Sequence, residues 1–100
     1  MQTVNIEGEM TISTAAKQKK MLLALIKSTH KLVINLSQVS ELDTAGAQLL
    51  ILLKLEAARA HKNVRFVMPS NAVLDVLALG NLTAVFVDLL CLGDEEEFSI

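Results

Sequence analysis

The sequence predicts a single α/β domain in which about four strands alternate with three helices in a parallel or mixed sheet. The chain has 100 residues, and we expect one domain over residues 1–100 with its core at about residues 4–90. Its composition, 52% hydrophobic and 20% charged, is typical of a globular chain. Short β-rich runs alternate with segments of helical periodicity, and this order favours right-handed β-α-β crossovers.

The strand predictions depend on short apolar runs bounded by polar residues. Residues 4–6 alternate weakly in polarity and predict a short strand that ends near Gly8. Residues 31–36, 64–68 and 85–89 are nearly continuous apolar runs. Such runs fit strands that are covered by helices on both faces of the sheet.

The helix predictions depend on apolar residues at helical spacing and on capping residues. The first helix begins with Ser13 or Thr14 as its cap and ends at about Thr29. The second covers about residues 44–61. The third covers about residues 70–79, between a serine that suits an N-cap and a glycine that suits the helix stop.

Composition and charge exclude several classes of function. Nine Lys and Arg against 11 Asp and Glu give a net charge of −2, so there is no basic excess to pair with phosphates. Three Phe, with no Tyr or Trp, offer little base stacking. A single cysteine, Cys91, excludes an internal disulfide and a thiolate metal cluster. We therefore expect no nucleic-acid binding, no cofactor and no metal.

The start of the sequence and the length of its apolar runs predict where in the cell the protein is found. Residues 1–4 lack the charged and then apolar pattern of a signal peptide. No run of 18 or more apolar residues is present. These features predict a cytoplasmic protein without membrane insertion. Residues 93–100 are acidic and predict a solvated C-terminal tail.

The most informative segment, residues 40–50, joins a predicted buried strand to the most apolar helix. Loops that leave the carboxyl ends of strands are the usual binding positions in an open α/β sheet. Asp43 or Thr44 can cap the helix through a side-chain oxygen. The negative charge of Asp43 also suits the positive end of the helix dipole. Gly46 allows the helix to approach its neighbours closely.

The helix that follows this loop carries apolar residues on more than one face. One stripe at 100° per residue predicts its buried side. It consists of Gly46, Leu49, Leu50, Leu53, Ala57 and Ala60. Ile51, Leu52 and Leu55 fall on the opposite face, where an exposed apolar cluster with a polar rim indicates a protein contact. Phosphorylation of Thr44 would add about −1.5 to −2 charges beside that cluster, which outlines a binding switch.

An ordered set of motifs resembles the STAS family, the domain of bacterial anti-sigma-factor antagonists. The resemblance runs from about Val4 to Leu90. The best-matching piece is Asp43-Thr44-Ala45-Gly46 with Gln48-Leu49-Leu50 behind it. The other matching pieces are residues 8–10, 32–37, 73–74 and 77–82.

The resemblance implies a small sheet with helices mainly on one face and a non-catalytic module that binds a partner protein. In antagonists of this family a kinase phosphorylates a hydroxyl in this loop and so releases the antagonist. The usual acceptor is the residue before the glycine, which is Ala45 here. Thr44 is then either an alternative acceptor or a contact residue in an unswitched adaptor.

The resemblance leaves several partners open. They are an anti-sigma factor or its kinase, a chemotaxis-type signalling kinase, and the ATPase subunit of a phospholipid-trafficking ABC transporter. A nucleotide-sensing STAS domain is a further alternative, although the four glycines form no phosphate-binding loop. No nucleophile and base stand out as a pair, so we expect no catalysis. The predicted partner-binding residues are Asp43, Thr44, Ala47, Gln48, Ile51, Leu52 and Leu55.

Overall fold

The computed structural model describes residues 1–79, which form three strands and three helices in strict alternation. The elements are β1 (Gln2–Met10), α1 (Ala15–Ser28), β2 (Lys31–Leu42), α2 (Thr44–Arg59), β3 (Asn63–Val67) and α3 (Asn71–Leu79). The strands lie in the order β1-β2-β3, and both pairings are parallel. The predicted α/β class is confirmed. The predicted strand at residues 85–89, the stop at Gly80 and the acidic tail at 93–100 lie outside the described residues.

The helices of this part of the chain share one hydrophobic core with one face of the sheet. Two right-handed crossovers that run in the same direction across a sheet place both helices on the same face. Leu22 of α1, Leu50 of α2 and Val73 of α3 are all fully buried in the same cluster. The cluster also contains Ile34 of β2 and Phe66 of β3.

The central strand β2 is buried on one face rather than on both. Leu32, Ile34 and Leu36 are buried, whereas Val33 and Asn35 between them are half-exposed. The expectation of a sheet covered on both faces therefore does not hold for the described residues. The alternation of burial along β2 agrees with helices mainly on one face.

The first two strands are longer than the sequence predicts. Strand β1 has nine residues and continues past Gly8, whose φ of 87° lies at an irregularity in the β1–β2 register. The glycine therefore accommodates a bulge and does not end the strand. Strand β2 continues to Leu42 because its polar second half pairs with the end of β1. The predictions of a short first strand that ends near Gly8 and of a second strand over residues 31–36 were therefore too short.

The predicted ends of the later elements need small corrections. Helix α2 stops at Arg59, because His61 adopts a φ of 59°, which an α-helix does not allow. Strand β3 stops at Val67, because Met68 has a φ of 55°. The predicted cap of α3 is confirmed: the Ser70 hydroxyl accepts a hydrogen bond from the Val73 N–H at 3.3 Å.

Candidate functional site

Two loops meet at the carboxyl edge of the sheet. Met10 at the end of β1 is the register partner of Leu42 at the end of β2. Because the strands are parallel, the segment after Met10 and the segment after Leu42 leave the sheet side by side. This edge is where binding sites of open α/β sheets usually form.

Asp43 joins these two loops through its backbone and both carboxylate oxygens. Its Oδ1 accepts a hydrogen bond from the Gly46 N–H at 3.0 Å, which caps α2. Its Oδ2 accepts one from the Ile12 N–H at 2.8 Å. Its own N–H donates to the Met10 carbonyl at 3.2 Å. Of the two capping candidates, Asp43 is therefore the cap, and it also holds the loop after β1.

The same hydrogen bonds lower the pKa of Asp43 below its usual value of 3.8. The Gly46 N–H has the largest effect and the Ile12 N–H the next, because each stabilises the ionised carboxylate. Since the folded pKa is depressed, this contribution to stability is complete above the unfolded value. It is lost as the pH falls through the folded value.

We expect Asp43→Asn to be less stable than the parent at neutral pH and to approach it in acid. Asparagine can still cap α2, but it carries no charge and cannot offer two carboxylate oxygens. Urea unfolding of both proteins from about pH 7 to about pH 2 measures the difference. A difference that stays constant over this range would show that the ionised carboxylate does not stabilise the fold.

Gly46 stands where the first turn of α2 passes over the end of β1. A Cβ at this position would lie 2.0 Å from the Met10 carbonyl oxygen and 2.7 Å from Leu42 Cδ1. No real Cβ contact is so short, so only glycine fits this crossing. The close approach brings the start of α2 against the loop after β1.

The loop after β1 is held by a second set of hydrogen bonds at the start of α1. The Thr14 hydroxyl donates to the Glu9 carbonyl at 3.0 Å and accepts from the Thr11 N–H at 3.0 Å. Gln18 Nε2 donates to the same Glu9 carbonyl at 2.9 Å. Thr14 is the N-cap residue of α1, although its side chain makes no capping bond to the helix. These bonds order the loop around Ile12.

The predicted contact residues differ in their exposure. Thr44 and Gln48 are exposed, and Leu55 is 46% exposed. Ile51 and Leu52 are half-buried and pack partly against the core. The opposite face of α2 is therefore less exposed than its helical positions imply.

Ala47 requires a correction. It was predicted to contact a partner, but it has 0% exposure and belongs to the hydrophobic core. The reason is that α2 has a wider buried face than a single stripe. Lys54, about two turns further on, is also buried and donates a hydrogen bond to the Val64 carbonyl.

Ile12 is a feature of this surface that sequence reasoning missed. Its side chain is 77% exposed, and its N–H is bonded to Asp43. Ile12 is the one apolar residue between Thr11 and Thr14. An isolated apolar residue in a polar loop next to a binding segment was the available signal. We use the term loop-helix surface for Ile12, Asp43, Thr44, Gln48 and Leu55.

The loop-helix surface combines exposed aliphatic side chains with one hydrogen-bonded carboxylate. Both oxygens of the Asp43 carboxylate are already bonded to backbone N–H groups. Among residues 1–79, no group of three or more His, Cys, Asp or Glu could hold a metal ion. Nor is any helix in this part of the chain both long and apolar enough to cross a membrane.

Fold and surface together define a small parallel α/β domain of the binding or regulatory kind. A family model described as "Mlab, STAS domain" matches residues 1–91. The chain therefore belongs to the STAS domain family, as the motifs around Asp43 and Gly46 indicated. No curated protein gives a significant match to the chain.

Proposed function

We propose that this STAS domain is a non-catalytic regulator that binds a protein partner through its loop-helix surface. The observation that carries the proposal is the position of Leu55, which is 46% exposed on the same helix whose start is held by Asp43. Ile12 adds a second exposed aliphatic group, 77% exposed, from the adjoining loop. Complete burial of a fully exposed aliphatic side chain is worth about 1.5 to 3 kcal/mol. Because Leu55 is 46% exposed, a partner that covers it gains about half of that amount.

The partner class that we favour is an anti-sigma factor or a signalling kinase, as for antagonists of this family. Thr44 supports a switch, because it is exposed and is the first residue of α2. A phosphate there would add negative charge at the positive end of the helix dipole, which favours the fold. It would also lie close to an apolar contact, where its charge would disfavour partner binding.

A second candidate is an accessory subunit of a phospholipid-trafficking ABC transporter. The Asp-Thr-Ala-Gly loop at residues 43–46 favours it, because that loop is similar to the loop of the small cytoplasmic STAS subunit of such transporters. The partner would then be the ATPase subunit of that transporter. Both candidates use the same surface, so the identity of the captured protein distinguishes them.

We expect Leu55→Asp and Thr44→Glu to abolish capture of the partner from a lysate of the native cell. Each places a carboxylate where the partner would bury apolar surface, which carries a large desolvation cost. Met21→Asp is the matched control, because Met21 is 45% exposed on α1, outside the loop-helix surface. Mass spectrometry of the retained proteins, with the parent protein alongside, gives the result.

The pattern of retention decides between the proposals. An anti-sigma or chemotaxis-type kinase held by the parent and by Met21→Asp supports the switch protein. A transporter ATPase subunit held by the same two proteins supports the second candidate. If all four proteins retain the same set, or none retains anything, the loop-helix surface is not the binding site. A titration with GTP and ATP would then test nucleotide sensing.

A further inference from the structure

A groove lies between α1 and α2, beside the loop-helix surface. Its volume is about 350 Å³. The lining residues are Ala15, Ala16, Lys19, Ala45, Gln48, Leu49 and Leu52. The floor is aliphatic, and the small alanines at the starts of both helices leave it open. Gln48 belongs to both the groove and the loop-helix surface, so the two are continuous.

The charge beside this groove is strongly positive, although the chain as a whole carries −2. Helix α1 contains four lysines and no acidic residue. The lysines Lys17, Lys19, Lys20 and Lys27 are all exposed. Among residues 1–79 a salt bridge joins Arg59 to Glu56, and no lysine of α1 takes part in it. The positive charge of α1 is therefore presented to solvent, and Lys19 is the lysine that lines the groove.

The start of α1, at one end of the groove, adds to this positive potential. Helix α1 begins at Ala15, has no side-chain cap and has no acidic residue in its first turn. The N-terminus of a helix carries about half a positive charge and favours a nearby anion. Ala15 and Ala16 place this first turn directly at the groove. The start of α2 is different, because the Asp43 carboxylate already caps it.

We propose that this groove binds an acidic amphipathic helix of the protein partner. Aliphatic side chains on one face of that helix occupy the floor formed by Leu49 and Leu52. Its carboxylates face Lys19 and the start of α1. Amphipathic helices are commonly recognised in this way, with apolar residues at helical spacing seated in a groove. The inference rests on the proposed function, because it names the chemistry of the partner that the loop-helix surface binds.

The test uses a synthetic helical peptide of about 18 residues, with leucines at helical spacing and glutamates elsewhere. We expect the peptide to shift the backbone NMR signals of Ala16, Lys19, Gln48 and Leu52 in the ¹⁵N-labelled full chain. The same peptide with lysines for the glutamates is expected to cause no shift. Binding of the acidic peptide should weaken as salt is added, because the charges lie near the surface.

Two variants with the same net charge distinguish binding in the groove from nonspecific electrostatic attraction between the peptide and α1. Lys19→Glu changes a residue that lines the groove, whereas Lys17→Glu changes a lysine of α1 that does not. We expect Lys19→Glu to raise the Kd for the acidic peptide by about tenfold and Lys17→Glu to change it much less. Equal effects of the two variants would overturn the proposal.

Two further outcomes would also overturn it. Shifts at the same amides that depend on the concentration of the protein alone would assign the groove to a second copy of this chain. If the acidic peptide causes no NMR shift, the groove does not bind an acidic helix. If Leu55→Asp still abolishes partner capture in that case, the proposed function stands and only the inference about the groove fails.

Discussion

Gly46→Ala is expected to lower the free energy of unfolding by at least about 3 kcal/mol, the upper range for an overpacked site. The new methyl carbon would lie 2.0 Å from the Met10 carbonyl oxygen and 2.8 Å from the Met10 carbonyl carbon. Both are backbone atoms of β1, so neither can move without displacing the strand. Helix α2 must then shift away, which disturbs the hydrogen bonds of Asp43 to Gly46 and Ile12.

Gly8→Ala is the matched control for this prediction. Both variants change the unfolded chain in the same way, by replacing one glycine with alanine. At Gly8 a Cβ meets nothing within 4 Å, and the cost comes from its φ of 87°. A left-handed conformation costs alanine about 1 to 2 kcal/mol. Urea unfolding should therefore give Gly46→Ala a lower free energy of unfolding than Gly8→Ala. Equal losses of unfolding free energy would contradict the close approach at Gly46.

Leu53→Asp is expected to leave the chain largely unfolded at 25 °C. Leu53 has 0% exposure in the core under α2. The substitution loses about 1.5 to 3 kcal/mol of apolar burial. It also places an unpaired carboxylate in the core, at an effective cost of several kcal/mol. Because small domains have only about 5 to 15 kcal/mol of stability, the sum is enough to remove most of it.

The control is Leu55→Asp, which makes the same change two residues along the same helix. Leu55 is 46% exposed, so the new carboxylate can remain in water and the fold should persist. Circular dichroism during thermal unfolding measures both variants. A cooperative transition for Leu53→Asp close to that of Leu55→Asp would contradict the orientation of α2. A cooperative transition of Leu55→Asp shows that this variant is folded and therefore suits the capture experiment.

Local patterns of the sequence were sufficient for the elements and for part of the site. The spacing of Gly46, Leu50 and Leu53 predicted a buried stripe of α2, and all three are buried. Short polar residues at positions 43 and 44 before an apolar helix predicted a cap at one of them, and Asp43 is the cap. Helical period and capping depend on neighbours within about one turn, so the sequence contains what determines them.

The ends of the strands could not be read in the same way. The second half of β2 is rich in polar residues, and it forms a strand only because it pairs with β1. Gly8 looked like a strand end, but pairing on both sides of it makes it part of a bulge. Strand pairing joins residues that are distant along the chain. A local pattern therefore underestimates the length of a strand whose partner supplies the hydrogen bonds.

The sequence by itself determined the α/β class and the positions of the helices. It also placed a capping residue and a closely packed glycine, Gly46, at the start of α2. Only the tertiary structure decided which side chains of α2 reach solvent. It buried Ala47 and Lys54, left Leu55 exposed and brought Ile12 beside Asp43. The physical reason is that exposure depends on what packs against a helix from every side. Those neighbours come from β1, β3 and α1, which the spacing of residues along α2 does not encode.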